Sequence, residues 1–515
     1  MMQPMTEISL ADLATCTRVF EAIANDLTIL SRLSEAERIR LLLAAGQVSH
    51  PGKEAIHHRR KAERRKKTEE KLSLDRTAIA STTIRALRAQ SVFVAPPRLL
   101  LLADDADAAS ELLAPRGCYV CKAEYRKVHP FYDSMCPACA SFNYDKRFQT
   151  ARLDGRVVLI TGARLKIGYQ AALMLLRAGA RVIVTTRFPQ DSALRYIGEP
   201  DFLAWGDRLQ IHGLDLRHSP SVELFTTFVD RTYDRLDHLI NNAAQTVRRP
   251  PGFYRHLLDV EERPYLDLPV EAQALLVNHE AFKALLGRDS APETDDGTTW
   301  VSEWHQGKLP AAPGVTSSAQ LSQVPYACDE PAHDPTLFPE GRLDQDLQQV
   351  DLRGMNSWRM KLADVPTAEL LEVQLVNAIA PFILCSKLKP LMMRTPTGDK
   401  HVVNVSAMEG KFNRFTKTDK HPHTNMAKAA LNMMTLTSAR DYANCGIFMN
   451  AVDTGWVTDE DPAEISHRKH EEHDFAPPLD IVDGAARIID PIFSGILTGN
   501  HTWGNFLKDY VPTEW

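Results

Sequence analysis

The run Arg156-Val-Val-Leu-Ile-Thr161, followed by Gly162-Ala-Arg164-Leu-Lys166-Ile167-Gly168, limits the possible folds of this chain more than any other feature. The short β-branched apolar run predicts a buried strand and the glycines a tight turn. Tyr169-Gln-Ala-Ala-Leu-Met-Leu-Leu-Arg177 carries helical periodicity. Strand, glycine turn and helix open a nucleotide-binding βαβ unit. The turn brings backbone N–H groups and a helix N-terminus to a pyrophosphate. A lone glycine turn is weak evidence, so the rest of the chain has to supply further strands in the right order.

It does. Arg181-Val-Ile-Val-Thr-Thr186-Arg187 predicts a second strand, and Leu209-Gln-Ile-His-Gly-Leu-Asp215 a third that ends in an acid. Asp237-His-Leu-Ile-Asn241-Asn242-Ala243-Ala244 predicts a fourth, Lys400-His-Val-Val-Asn-Val-Ser406 a fifth and Ile447-Phe-Met-Asn-Ala-Val-Asp453 a sixth. The expected architecture is α/β, a doubly wound parallel Rossmann sheet.

In order and spacing these segments resemble the short-chain dehydrogenase/reductases over roughly residues 152–250 and 355–515. The resemblance implies a catalytic group of Ser406, Asn377 and Lys428, with Thr424 where the family carries its catalytic tyrosine. In that family the serine binds the substrate oxygen, the lysine holds the nicotinamide ribose, and the asparagine anchors a water relay. A phenol with a reference pKa of about 10 can be tuned toward neutrality. A threonine hydroxyl is a far poorer acid, and such proton transfer is typically worth about 10²–10⁴ in rate. Thr424 and Lys428 share one helix face. His423 or His421, just before them, could take the phenol's part, although both also read as ordinary polar loop residues. The stretch from Ser406 to Thr424 is longer than the family's usual spacing. Dienoyl-CoA reductases, which reduce a conjugated C=C system, likewise lack the tyrosine beside a retained lysine.

The resemblance also implies a cofactor site of Gly162, Arg164, Ile167, Gly168, Thr186, Arg187, Asp215, Asn242, Ala243, Lys428, Gly455 and Thr458. The second strand ends in two threonines and Arg187 rather than an acid, which suits the 2′-phosphate of NADP better than the bare ribose of NAD. Arg164 offers a second cation, and Asp215 matches the aspartate that receives the adenine amino group. Lys166 stands where the turn usually has a glycine, and could point outward or contact phosphate. Ala244 replaces a glycine, and Thr454 a proline.

Cys118-Tyr-Val-Cys121 and Cys136-Pro-Ala-Cys139 form two Cys-x-x-Cys pairs, a pattern that can offer four thiolates to one tetrahedral Zn²⁺. With all four positions filled by protein, the site reads as structural and zinc-ribbon-like. Redox dithiols or an iron–sulfur cluster are the alternatives. Cys16, Cys328, Cys385 and Cys445 show no pairing pattern and read as thiols of a reducing cytoplasm.

Residues 1–110 predict a helical region, 111–150 the cysteine segment, and 151–515 the Rossmann domain with an insertion at about 250–355. Ser34 caps a predicted helix that runs to a glycine stop at Gly46. Residues 77–88 predict a further helix, and a linker follows at Ala95-Pro-Pro. The helical region reads as an oligomerisation or protein-docking module. The basic run Arg59–Lys67 is interrupted by Glu63 and fits a solvated helix, and the net charge of −6 does not favour nucleic acid. No apolar run long enough to cross a membrane is evident, nor a signal peptide, so a cytoplasmic location is expected. The insertion follows a strand's carboxyl end, where it could cover or shape a ligand crevice. It carries Trp300, Trp304, Asp295 and Asp296, and its centre, about 289–340, lacks periodicity. The composite expectation is an NADP-dependent oxidoreductase acting on a carbonyl, alcohol or conjugated C=C. The alternative is a catalytically inactive NADP-binding sensor that works through partners.

Overall fold

The computed structural model describes residues 8–98, 110–286, 318–326, 334–414 and 416–515. Ala95-Pro-Pro lies within them, but the segment after residue 98, Cys328, and the insertion residues Asp295, Asp296, Trp300 and Trp304 lie outside. The chain divides into two compact units, Met1–Asp75 and Arg76–Trp515. The division falls well before residue 110, because residues 76–98 contribute to the second unit. Thr83 and Ile84 donate backbone N–H bonds to Pro130 and Phe131. Ile84 and Leu87 are buried in one apolar cluster with the cysteine segment.

The first unit is helical. Helices Leu10–Asn25 and Glu35–Ser49 both begin with full capping boxes, Ser9 with Asp12 and Ser34 with Glu37. The second helix runs past the expected stop at Gly46. The helix that begins at Lys53 extends to Ala80, and a break at Ser81-Thr82 separates it from Thr83–Arg88. Its basic stretch is exposed, with i,i+4 pairs Arg59–Glu63 and Arg65–Glu69.

In the second unit, β1 (Glu111–Gly117) and β2 (Glu124–Lys127) form an antiparallel hairpin. The main sheet comprises β3 (Val157–Thr161), β4 (Arg181–Thr186), β5 (Leu209–Gly213), β6 (His238–Asn241), β7 (Lys400–Ser406), β8 (Ile447–Asp453), β9 (Phe506–Lys508) and β10 (Val511–Thr513). Their order is β5-β4-β3-β6-β7-β8-β9-β10, parallel throughout except for β10 against β9. The six expected strands are present, and the sequence reading missed β9 and β10. β3 and β7 are buried at every position, as strands covered on both faces must be.

One face is covered by helices Lys166–Arg177, Pro189–Ile197 and Ile481–Thr498, through Leu175, Leu176, Tyr196, Ile488 and Ile492. The other is covered by Ser219–Thr232, Ala380–Met393 and Pro422–Ala443, through Phe225, Val229, Leu384, Leu388 and Tyr442. Thr367–Met393 is one continuous helix with a π-turn at Leu375–Ile379. In length and apolar composition it meets the requirement for a membrane span, contrary to the reading that no such run exists. Half of its most apolar stretch is buried, and its Leu384, Leu388 and Leu391 pack in the cluster under the sheet. Among its described residues, the insertion adds the α-helices Pro251–Glu261 and Val270–Leu286.

Candidate active site

The sheet order reverses between β3 and β6, and the crevice at the strands' carboxyl ends opens there. A cavity of about 580 Å³ occupies it. Of the predicted cofactor residues, Gly162, Arg164, Ile167, Gly168, Thr186, Arg187, Asp215, Asn242, Ala243 and Thr458 all line this cavity. Gly162 has φ +67°, and a Cβ there would stand 2.8 Å from Cα of Ala243. A Cβ on Gly168 would meet the Gly162 carbonyl at 2.4 Å. The turn therefore closes tightly onto the helix N-terminus only because both positions are glycine. Asn242 fixes its far side by donating its amide to the carbonyls of Thr161 and Gly162, both at 3.0 Å.

The charged residues are less free than the sequence implied. Arg164 is buried and holds Asp191 at 2.6 Å and Gln348 at 2.7 Å, so it is not an open phosphate contact. Asp215 is gripped by Arg217 at 2.6 Å; burial opposes its ionisation, but that guanidinium outweighs it and keeps the pKa below the ordinary carboxylate value. Arg217 in turn reaches Glu372 at 2.8 Å. Lys166 takes φ +55°, with its ammonium 3.8 Å from Asp346. Arg187 differs: its guanidinium lies over the Tyr254 ring at 4.5 Å and donates to the Tyr254 hydroxyl at 2.8 Å. It forms no ion pair among the described residues.

Tyr254 and Phe253 come from the insertion, as do Asp344, Gln348, Asp351 and Arg353, and all of them line the cavity. Sequence reading did not single these out: it assigned no elements within the insertion and found no periodicity at its centre, about 289–340. The only available signal was the insertion's place after β6.

The expected catalytic residues lie outside the cavity lining, and all are buried: Ser406, Asn377, His423, Thr424 and Lys428. Thr424, Lys428 and Asn432 follow one face of Pro422–Ala443 against the end of β7. Lys428 donates to the Val405 carbonyl at 2.7 Å, and Ser406 donates to Oδ1 of Asn432 at 2.5 Å. Burial lowers the Lys428 pKa to about 8, against the pull of Glu409 and Asp453. The Thr424 hydroxyl has no partner among the described residues. The turn Met408–Gly410 lies over this group, and a Cβ on Gly410 would touch the Lys428 backbone at 2.8 Å.

Asn377 was expected to anchor a water relay to Lys428, and its side chain is bonded elsewhere. Its amide clamps the Gln245 backbone, accepting the N–H at 2.7 Å and donating to the carbonyl at 3.0 Å. His423 stands 3.7 Å from the Glu369 carboxylate, on the side of Thr367–Gln374. His421 stacks on Trp358 at 3.9 Å. Gly455, expected at the cofactor, instead packs against Tyr119 and Leu479.

Cys118 and Cys121 occupy the β1–β2 turn. Cys136 caps helix Pro137–Arg147, and Cys139 lies in its first turn. Their four sulfurs lie within 4.8 Å of one another, with Cys121 and Cys136 at 3.7 Å. Tetrahedral zinc with Zn–S of about 2.3 Å requires sulfurs about 3.8 Å apart, so the donor set fits such an ion. Burial raises the Cys118 pKa, but backbone N–H groups of Cys136, Cys121 and Val120 more than offset it, bringing it to about 7. Cys16, Cys385 and Cys445 are free.

A parallel sheet with this strand order, and a glycine turn at its reversal, defines a Rossmann fold. A family described as short chain dehydrogenase matches residues 156–259, and one described as enoyl-(acyl carrier protein) reductase matches 350–477. Over these two segments the chain resembles the short-chain dehydrogenase/reductase superfamily, whose members are oxidoreductases. An uncharacterized protein of Acanthamoeba polyphaga mimivirus is 28% identical over 405 residues, 76% of this chain and 74% of that protein. A Drosophila melanogaster dehydrogenase/reductase SDR family protein 7-like is 37% identical over 117 residues, only 21% of this chain and 35% of its own length. Among solved structures, the Pseudomonas aeruginosa RhlG/NADP active-site complex shares 16% identity at TM-score 0.40, covering 69% of this chain and 95% of that one. An NADPH-bound carbonyl reductase from chicken fatty liver shares 17% at TM-score 0.38, covering 70% and 100%.

Proposed function

We propose that this protein is an NADP-dependent oxidoreductase that moves hydride to or from a small-molecule carbonyl, alcohol or conjugated C=C, with Thr424 in the place of the family's tyrosine. The observation that carries the cofactor choice is Arg187, at the end of β4, lining the cleft with Thr186 and held flat on Tyr254. A guanidinium that forms no ion pair among the described residues suits a 2′-phosphate. The N-terminus of Lys166–Arg177 faces the same cavity and suits a pyrophosphate. Thr458 and Asn242 line the cleft around them.

The cofactor, when bound, supplies the hydride. Ser406 orients the reacting oxygen. With no phenol present, the Lys428 amine is the group in this cluster that can exchange a proton near neutral pH. The Met408–Gly410 turn covers these groups, with Gly410 packed on the Lys428 backbone. The four cysteines hold a structural Zn²⁺, and a reducing cytoplasm keeps them available for it. Helices Leu10–Asn25 and Glu35–Ser49 bury no side chain and leave Leu13, Phe20, Leu42 and Leu43 exposed, which supports a protein partner or homo-oligomer contact in this region.

The test is titration of the full chain with NADPH and with NADH, following energy transfer from tryptophan to the reduced nicotinamide. The expected result is saturable binding that favours NADPH and weakens about tenfold or more in Arg187→Ala, as loss of a charge-assisted bond predicts. Equal affinity for both nucleotides, or no effect of the substitution, would remove the cofactor assignment.

A further inference from the structure

We propose that the four-cysteine cluster is coupled to the dinucleotide cleft through Tyr119, so that Zn²⁺ bound by the thiolates tightens nucleotide binding by fixing the loop 454–458. The inference rests on the NADP reading above and adds a regulator of that same site.

Tyr119 sits between two of the four cysteines, so an ion held by Cys118 and Cys121 fixes its backbone on both sides. Its hydroxyl accepts the Trp456 N–H at 2.9 Å. The preceding residue, Gly455, has φ +78°, and a Cβ there would lie 3.2 Å from the Tyr119 hydroxyl and 2.4 Å from Leu479. The loop therefore meets the tyrosine without room for a side chain. Lys508 reinforces the contact. Its ammonium lies 5.4 Å from the Tyr119 ring centroid and 3.3 Å from Asp453, where β8 runs into the loop.

The path continues to the cleft. Val457 is buried in one cluster with Cys118, Leu479 and Ile481, and Ile167 packs against that cluster. A Cβ on Gly484 would strike both Ile167 and Val457. Ile167 and Thr458 line the cavity itself. Cysteine cluster, tyrosine, loop and glycine turn thus form one continuous packed chain. By linkage, an ion that tightens nucleotide binding must itself be tightened by the nucleotide to the same degree.

The experiment uses the full-length protein in three forms: Zn²⁺-loaded, chelator-stripped, and Tyr119→Phe loaded with Zn²⁺. Hydrogen exchange is followed over the peptide spanning 454–458 without nucleotide, and NADPH affinity is measured alongside. Tyr119→Phe should retain one equivalent of zinc and the wild-type thermal transition, yet exchange faster at 454–458. It should bind NADPH about threefold to tenfold more weakly, the worth of one hydrogen bond. Stripping should weaken NADPH about fivefold or more, and NADPH should raise zinc affinity in a chelator competition by the same factor. Unchanged exchange in both altered forms overturns the proposal. So does equal NADPH affinity in wild type and Tyr119→Phe, or a wild-type protein that retains no zinc. If the loop loosens as expected but wild type binds no NADPH, the link to the loop stands and the cofactor reading fails.

Discussion

At the residue scale, the group to watch is Lys428. Its amine is surrounded by protein and donates to a backbone carbonyl rather than to an acid. Burial therefore sets its pKa, at about 8 instead of the ordinary 10.5. If the protonated amine is the acid in reduction, kcat/KM should fall as pH rises through about 8 and rise with pH in the oxidation direction. Lys428→Arg, which cannot deprotonate, should abolish that inflection. The stability linkage carries its own sign. The folded pKa is the lower one, so between about 8 and 10.5 the unfolded chain binds more protons and stability rises with pH. A flat rate profile across pH 7–9 would assign the proton to another group. Ser406, Thr424 and Lys428 were legible as a group because each lies on a recognisable strand or helix. Their enclosure was not legible, because it depends on how the Met408–Gly410 turn packs.

At the scale of elements, the cysteine segment is joined to the sheet by buried charge. Arg147, at the end of helix Pro137–Arg147, reaches Asp480 at 2.6 Å and Asp483 at 2.9 Å, at the start of Ile481–Thr498. Tyr132 donates to Asp483 at 2.5 Å. Burial and the neighbouring Asp480 raise the Asp483 pKa. Asp480 stays depressed, because Arg147 and two backbone N–H groups outweigh its burial. Removing the cation leaves two carboxylates enclosed together. Arg147→Met should destabilise the protein by about 3–5 kcal/mol, the usual penalty for breaking a buried pair from one side. Chemical denaturation measures it, and a loss below about 1 kcal/mol would mean that water reaches the cluster. The sequence announced the first element by its cysteines; helix Ile481–Thr498 was not read from it, although Asp480 and Asp483 form a capping box at its start. Nothing in the spacing of Arg147 and Asp480 announced that they meet, since strands β3 to β8 lie between them in the chain.

At the scale of the molecule, the break at Asp75 and Arg76 sets which parts should fold together. A chain beginning near residue 76 should keep the thermal transition and nucleotide affinity of the full protein, because the cavity and both main apolar clusters lie in the second unit. If the first unit carries the oligomer contact, the same truncation should lower the mass seen by light scattering. Loss of nucleotide binding on truncation would contradict the division. The sequence by itself determined strands β3 to β8 of the sheet, the glycine turn, the four thiolates and the identity of the residues at the strand ends. Those depend on local periodicity, glycine conformation and ligand spacing, which short segments carry within themselves. Only the tertiary structure decided that Arg164 is occupied by Asp191, that Asn377 clamps Gln245, and that the insertion lines the cleft. It alone decided that the cysteine turn touches the loop after β8. Each of these is a contact between segments far apart in the chain, set by packing against a common sheet, and no local pattern encodes it.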